Sequence, residues 1–197
     1  MPFAADRDLL ILEPNLFRDV QFRAQRIVSG SVSIAGNVLT FLSQDNGLVA
    51  ASVNAGHVVV VGDESYEVVE RVSDSELTVS RPREHATDEV IPPAPVGNVA
   101  AYISTFRPQI ALVHRDLLAR AEITDESQVQ NPADLAALEA AQAVREILQA
   151  CPLPERAARF IRLAERLAAH ATIKLDPNAD GIADATRRLS PGNLSRA

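Results

Sequence analysis

"HVVVVGDESYEVVERVSDSELTVSRP", residues 57–82, gives the strongest indication of the fold of this chain. It contains three short runs rich in β-branched residues, at 58–61, 66–72 and 77–79. Valine at this density favours the pleated surface of a sheet over a helix. The residues between the first two runs, 62–65, are Gly-Asp-Glu-Ser, which is typical of a turn. The stretch therefore predicts a strand, a turn, a returning strand, a second turn and a third strand.

The residues on both sides of this stretch extend the β pattern. Upstream, "SVSIAGNVLTFL" (31–42) has Gly36 and Asn37 between two β-prone runs, which predicts a hairpin. Downstream, residues 81–98 hold four prolines and no usable period, and we expect a hinge or an extended arm there. Residues 99–105 return as a final strand. Several short strands at regular spacing indicate a small antiparallel barrel or sandwich.

From Arg107 the hydrophobic period changes to that of a helix. A second helix is predicted at 131–151, with Asn131 as its N-cap and Pro132 at its first position. A third is predicted at 153–171. The apolar faces of the three helices are Ile110, Val113, Leu117 and Ala121; then Ala137, Leu138, Ala141, Val144, Ile147, Leu148 and Cys151; then Ala157, Phe160, Ala164, Leu167 and Ala171.

The predicted fold class is therefore α+β. A small N-terminal antiparallel β barrel or sandwich is followed by a C-terminal helical hairpin or small bundle. Four regions are expected: a β module with an N-terminal arm (1–80), a proline-rich hinge and return strand (81–105), a helical module (106–174), and an acidic loop with a basic C-terminal tail (175–197).

The net charge of −7 comes entirely from the first half of the chain. Residues 1–100 hold 7 arginines against 14 acidic residues, whereas residues 101–197 hold 12 basic and 12 acidic residues. An acidic half argues against sequence-independent wrapping of nucleic acid, which needs a basic face to neutralise phosphates. It is compatible with a surface that lets DNA pass without specific binding, because like charges repel.

The chain length and the single cysteine further restrict the class of protein. A chain of 197 residues supports one ample core or two modest ones. Cys151 stands alone, which excludes a disulfide framework and a cysteine metal cluster. Asp6 and Asp8 stand where a signal peptide needs basic residues, and no run approaches the length of a membrane span. We therefore expect a protein made in the cytoplasm with no membrane partner.

"LDPNADGIADATRRL", residues 175–189, has the spacing of a cation-binding loop. Calcium needs six to eight oxygen ligands, and EF-hand loops supply them at alternate positions around a glycine at position 6. Position 12 here is Arg187 rather than a bidentate glutamate, which should weaken binding. The equally open alternative is an Asx-rich turn whose side chains satisfy backbone donors. The predicted ligands of a structural Ca²⁺ are Asp176, Asn178, Asp180, the carbonyl of Ile182, and Asp184.

Catalytic motifs are not found in the sequence. The histidines, His57, His85, His114 and His170, have no partner at metal-ligand spacing. There is no phosphate loop, no G-x-G-x-x-G and no nucleophile elbow. His114 lies at the edge of an apolar helix face, which favours a core or interface residue over a general base. The sequence predicts a protein that is not an enzyme, with no catalytic residues.

Two stretches resemble structural proteins of tailed bacteriophages. The strand–turn rhythm of "NAGHVVVVGDESYEVVERVSDSELTVSRP" (54–82) resembles a β module that recurs in those proteins. "YISTFRPQIALVHRDLL" (102–118), followed by two Ala-rich helices and the terminal acidic loop, is similar to neck or head–tail connector proteins of phages and their domesticated relatives. The resemblance covers about residues 50–189.

The resemblance implies a non-enzymatic adaptor subunit of a phage-like particle. Copies would form a homo-oligomeric ring at the head–tail junction, or neck, between portal-like and tail-side structural proteins. The protein would be assembled in the bacterial cytoplasm and reside in the virion. Calcium, if bound, would pin the basic tail against a neighbouring subunit.

Two other functions stay open from the sequence. One is a calcium-dependent binding module in another assembly. The other is an enzyme of unrecognised type, which would show a deep pocket with a perturbed histidine or carboxylate.

Overall fold

The computed structural model describes residues 2–151, 153–176, 182–183 and 185–188. Within these residues the chain is α+β, with five α-helices and eight strands, so the predicted class is confirmed. Six of the strands close into an antiparallel barrel. The chain divides into a barrel unit, residues 5–106, and a helical unit made of residues 2–4 and the described residues from Arg107 onward.

The barrel closes because its last strand pairs with its first. The strand order is β1-β2-β5-β4-β3-β6, with β6 returning to β1, and all neighbours are antiparallel. Closure leaves none of these six strands with an unpaired edge. The strands are β1 (Arg26–Ala35), β2 (Val38–Gln44), β3 (Val58–Val61), β4 (Glu64–Arg71), β5 (Glu76–Ser80) and β6 (Val96–Ser104).

The barrel unit has a filled core. Fifteen buried apolar side chains from all six strands and the β2–β3 connection form one cluster, with Phe41 and Tyr66 the largest. A barrel this small is normally filled by its own side chains rather than by a ligand. At Gly30 in β1, a Cβ atom would lie 1.9 Å from the carbonyl oxygen of Ser43, so only glycine allows β1 and β2 to approach there.

The turn between β3 and β4 is tighter than predicted. The sequence suggested a turn over residues 62–65, but Val61 already pairs with Glu64, which leaves a two-residue connection. Gly62 has a φ of +58°, and glycine adopts this left-handed conformation without steric cost. The strand therefore begins two residues earlier than the apolar pattern indicated.

Two short helices precede the barrel and were not predicted. They are α1 (Asp6–Leu12) and α2 (Leu16–Asp19). The buried carboxylate of Asp6 accepts hydrogen bonds from the Phe106 backbone N–H and the Thr105 hydroxyl, both at 2.7 Å. Helices this short have too little periodicity to be recognised in a sequence, and packing stabilises them.

The helical unit consists of three longer helices and a two-stranded sheet. Its core includes Leu135, Val144, Phe160 and Ile173, all at most 1% exposed. Ala137, predicted to be buried, is exposed, because the buried face of its helix is centred on its neighbours Leu138 and Ala141. The elements are α3 (Arg107–Arg120), α4 (Pro132–Gln149), α5 (Pro154–His170), β7 (Thr172–Leu175) and β8 (Ala185–Arg188).

Candidate functional site

The predicted cation loop is placed at two of its five positions. The carboxylate of Asp176, directly after β7, accepts a hydrogen bond from Gln130 Nε2 at 2.9 Å, and Asp176 is 2% exposed. Ile182 is 67% exposed. The remaining predicted ligands, Asn178, Asp180 and Asp184, lie outside the described residues. Asp176 therefore bonds inward to the helical unit, as a residue that holds a turn would, and calcium binding stays a prediction.

Among the residues that the structure describes, no group of three or more histidine, cysteine, aspartate or glutamate side chains is arranged to hold a metal ion.

Three of the four histidines lie in structural or solvated positions. His57 is buried in the barrel unit, and its Nδ1 lies 3.1 Å from the backbone nitrogen and 2.9 Å from the carbonyl oxygen of Asn54. His85 and His170 are exposed. One ring therefore contacts the backbone of its own turn, and the other two face solvent.

His114 belongs to a buried cluster that the sequence did not reveal. Its Nδ1 lies 3.3 Å from a carboxylate oxygen of Glu139, and its Nε2 lies 3.3 Å from one of Glu126. The Phe3 backbone nitrogen donates to the same Glu139 oxygen at 3.0 Å, and the Phe3 ring meets the imidazole edge-on at 4.7 Å. The cluster therefore ties the N-terminal residues to α3 and α4.

Burial governs the chemistry of this cluster. Glu139 is fully buried, and desolvation raises the pKa of its carboxyl group above the ordinary value. Hydrogen bonds from Phe3 N–H and the contact with His114 oppose that shift. Since His114 is only 5% exposed, the imidazole faces protein rather than an open cleft. This arrangement suits a packing role more than proton transfer to a substrate.

A glutamate within the apolar run of α4 was the signal that could have revealed the cluster. Glu139 stands in "LAALEAAQAV" (135–144), where every neighbour is small or apolar except Gln142. An acidic residue at such a position is rarely buried without a partner. The partners come from distant parts of the chain, so the sequence could not identify them.

A second buried ionic network lies in the barrel unit. Glu67 on β4 is 1% exposed and pairs with two arginines, Arg7 at 2.8 Å and Arg83. Arg7 also donates to the Arg83 carbonyl oxygen at 2.8 Å. Buried ion pairs add little net stability, but removing one partner is costly, so such networks fix geometry. Here they fix the start of the proline-rich segment.

The network positions an exposed acidic loop, which we define as residues 84–89. All six residues are exposed, and Glu84, Asp88 and Glu89 are acidic. Arg83 donates to the Asp88 carbonyl oxygen at 2.6 Å, and the Asp88 carboxylate accepts from the His85 backbone N–H at 2.8 Å. The acidic loop is thus held from its base and closed on itself. Loops held by a rigid scaffold often carry binding functions.

The outer side of α5 is basic. Arg159, Arg162 and Arg166 are exposed and recur at spacings of three and four, so they share one helix face. The buried residues of the same helix, including Phe160 and Ala164, point to its opposite side. We call Arg159, Arg162 and Arg166 the α5 arginine face.

Arg187 of the predicted basic tail is engaged within its own chain. Its guanidinium donates to the carbonyl oxygens of Ala121 and Glu122 and lies 3.4 Å from the Glu122 carboxylate. The side chain of Arg188 and all of Arg196 lie outside what the structure describes. Arg187 therefore helps to hold β8 and is not free to dock elsewhere.

A shallow groove runs between α3 and α4. It encloses about 240 Å³ and has Leu112, which is 57% exposed, on its apolar side. Its rim carries the ion pair between Arg120 and Asp116 at 2.7 Å, and a second between Arg145 and Glu146. With charges already paired at its rim, the groove resembles a packing surface more than a reactive pocket.

Comparisons with known proteins give no relative. No family model, no curated protein and no solved structure matches this chain. In the part of the chain that the structure describes, no helix is both long and apolar enough to cross a bilayer.

Proposed function

We propose that the chain is a non-enzymatic structural adaptor subunit of a phage-like particle, forming a homo-oligomeric ring at the head–tail junction. In this proposal an N-terminal barrel module is followed by a C-terminal helical hairpin or small bundle, and both take part in assembly. Portal-like and tail-side proteins contact the ring, and DNA passes through it without specific binding. The resemblance of residues 50–189 to neck proteins motivates this function.

The fixed acidic loop is the observation that carries the proposal. Burying Glu67 with Arg7 and Arg83 has a desolvation cost, and the pairing holds Arg83 where it bonds the base of an exposed loop. An exposed loop that is already ordered loses little conformational entropy when a partner covers it. A barrel with a filled core offers surfaces rather than an interior site. These features favour a protein that works by contact.

Calcium remains part of the proposal as a structural ion of residues 176–184. There it would fix the C-terminal segment against a neighbouring subunit. The inward bond from Gln130 to Asp176 must then be exchanged for a bond to the cation.

Ring formation tests the proposed function. We expect the purified full-length chain, concentrated up to the millimolar range, to form closed rings of one copy number in negative-stain electron microscopy and mass photometry. Gold-labelled antibodies against the chain should mark the head–tail junction of particles from the source bacterium. Label spread over the cytoplasm, together with substrate turnover by the monomer, would contradict the adaptor function.

A further inference from the structure

The α5 arginine face has the chemistry of a docking surface. Arg159 and Arg166, at the two ends of the face, are seven residue steps apart, which is roughly 10 Å along the axis at 1.5 Å per residue. The guanidinium carbon of Arg159 lies 5.6 Å from the centre of the ring of its chain neighbour Phe160. The three guanidinium groups therefore form one positive stripe on the exposed side of the helix.

Among the described residues, the arginines of this stripe have no acidic partner within 4.0 Å. Arg162 and Arg166 form no ion pair with any residue that the structure describes, although Glu155 and Glu165 lie on the same helix. By contrast, Arg120, Arg145 and Arg187 in the same unit have acidic partners within 4.0 Å. On the described part of α5, the stripe is therefore a basic surface whose arginines form no ion pair.

The barrel unit carries the complementary charge. Residues 5–106 hold 14 acidic residues against 7 arginines, a net charge of −7, whereas the rest of the chain is neutral. The acidic loop of the barrel unit, residues 84–89, exposes Glu84, Asp88 and Glu89 and contains no arginine or lysine. Arg83, the nearest arginine, is buried and paired with Glu67.

We propose that the α5 arginine face of one copy docks on the acidic loop of the barrel unit of a second copy. This inference rests on the proposed adaptor function and names the contact that would build its ring. The two surfaces are different, so each copy offers one of each to its neighbours. Such heterologous contacts produce a closed ring when the rotation between copies closes.

A second copy fits this stripe better than nucleic acid does. Duplex DNA is bound through a basic patch that neutralises phosphates, but here the barrel unit of the same chain carries the whole net negative charge, which repels a duplex and attracts the stripe of a second copy. Complementary charges between copies raise the association rate and fix the register of the contact, and both effects weaken with salt.

Charge reversal and charge exchange test the contact in the full-length chain. The stripe variant carries Arg159→Glu, Arg162→Glu and Arg166→Glu, and the loop variant carries Glu84→Lys and Glu89→Lys. In sedimentation velocity at low salt we expect the wild-type chain to associate and each variant to associate at least about tenfold more weakly. An equimolar mixture of the two variants should regain association, because the reversed stripe then faces the reversed loop.

Matched controls separate the contact from a general charge effect. Arg115→Glu, at an exposed position on α3, reverses one positive charge, as each substitution in the stripe variant does. Glu70→Lys, at an exposed position on β4, reverses one negative charge, as each substitution in the loop variant does. Both controls should associate as the wild-type chain does. Circular dichroism and urea unfolding verify that every variant is folded.

The outcomes of these experiments test the proposed contact and the proposed adaptor function separately. Rings that persist in both variants, or a mixture that fails to recover, overturn the contact and leave the adaptor function standing. Charge-dependent association into open chains of varied length supports the contact and contradicts the ring. Duplex DNA bound by the wild-type chain and lost in the stripe variant assigns the stripe to nucleic acid and overturns the inference. A chain that never associates contradicts both proposals.

Discussion

Glu139 couples the stability of the helical unit to pH. Burial raises the pKa of its carboxyl group above the ordinary value of 4.5 in the folded state. The folded chain therefore holds this proton to a higher pH than the unfolded chain does. The stability that the protonated group contributes is fully present below about pH 4.5 and is lost as the pH rises through the folded-state pKa.

Glu139→Gln removes this titration while keeping an acceptor for the Phe3 backbone N–H. We expect the free energy of unfolding of the variant, relative to the wild-type chain, to increase as the pH rises from roughly 4 to 8. Urea unfolding at several pH values measures it, with the exposed Glu165→Gln as a control that should show no such trend. The opposite trend would mean that Phe3 and His114 stabilise the carboxylate by more than burial costs.

Gln130 competes with a cation for the carboxylate of Asp176. Gln130→Ala removes the 2.9 Å bond from the Gln130 amide, so one competing contact is lost and the variant should bind Ca²⁺ more tightly than the wild-type chain in isothermal titration calorimetry. Asp180→Asn removes a predicted ligand and should weaken binding in both backgrounds. If no heat of binding is seen in any of these chains, the cation prediction is wrong and the Asx-rich turn is correct.

At the scale of elements, Asn131 has a different role from the one its position suggests. It precedes α4 as an N-cap would, but its side chain makes no capping bond. Its Oδ1 instead accepts from the Lys174 backbone N–H at 2.9 Å, and its Nδ2 donates to the Thr172 carbonyl oxygen at 2.8 Å. The amide therefore pairs with β7 as a peptide group of a neighbouring strand would.

Asn131→Ser and Asn131→Ala should be equally damaging, because serine caps a helix but cannot bridge Thr172 and Lys174. We expect each to lose roughly 1–2 kcal/mol of stability of the helical unit, measured by urea unfolding. Hydrogen exchange at the Lys174 N–H should accelerate in both variants. A serine variant as stable as the wild-type chain would restore the capping interpretation.

Substitutions at Ala137 and Ala141 test which face of α4 is buried. Ala141 is fully buried, so Ala141→Leu overpacks the core and should cost about 1–3 kcal/mol. Ala137 is exposed, so Ala137→Leu should change stability by no more than about 0.5 kcal/mol. Thermal unfolding of the matched pair measures the difference. Equal losses would place Ala137 in the core, as the periodicity suggested.

For the whole molecule, the division of charge determines which partners are favoured. The barrel unit carries a net charge of −7 and the remainder of the chain carries none. This distribution disfavours binding to the phosphate backbone of DNA. We expect the wild-type chain to bind duplex DNA more weakly than the roughly 10⁻⁴ M limit of ordinary non-specific binding at physiological salt. Electrophoretic mobility shift over a range of salt concentrations checks this. A shift that weakens with salt would contradict passage of DNA without binding.

Much of the candidate site could not be predicted because its parts are distant in sequence. The acidic composition of residues 84–89 is visible in the sequence. The contacts that anchor this loop join residues far apart in the chain, up to the 76 positions between Arg7 and Arg83. Likewise, His114 was recognised as a core or interface residue, whereas Glu126, Glu139 and Phe3 meet it only through tertiary packing. The basic side of α5, whose arginines recur at helical spacing, is visible from the sequence alone.

Local sequence patterns were sufficient to predict the elements whose hydrophobic period is long or whose turn residues are specific. The valine-rich strands around Gly62, the hairpin at Gly36 and the three long helices follow from local patterns, because side-chain spacing decides which face is apolar. The return of β6 to β1, which closes the barrel, could not be predicted from local patterns, since strand pairing depends on contacts far apart in the chain. The same is true of which charges are buried in pairs and which face solvent, because burial exists only once the elements have packed.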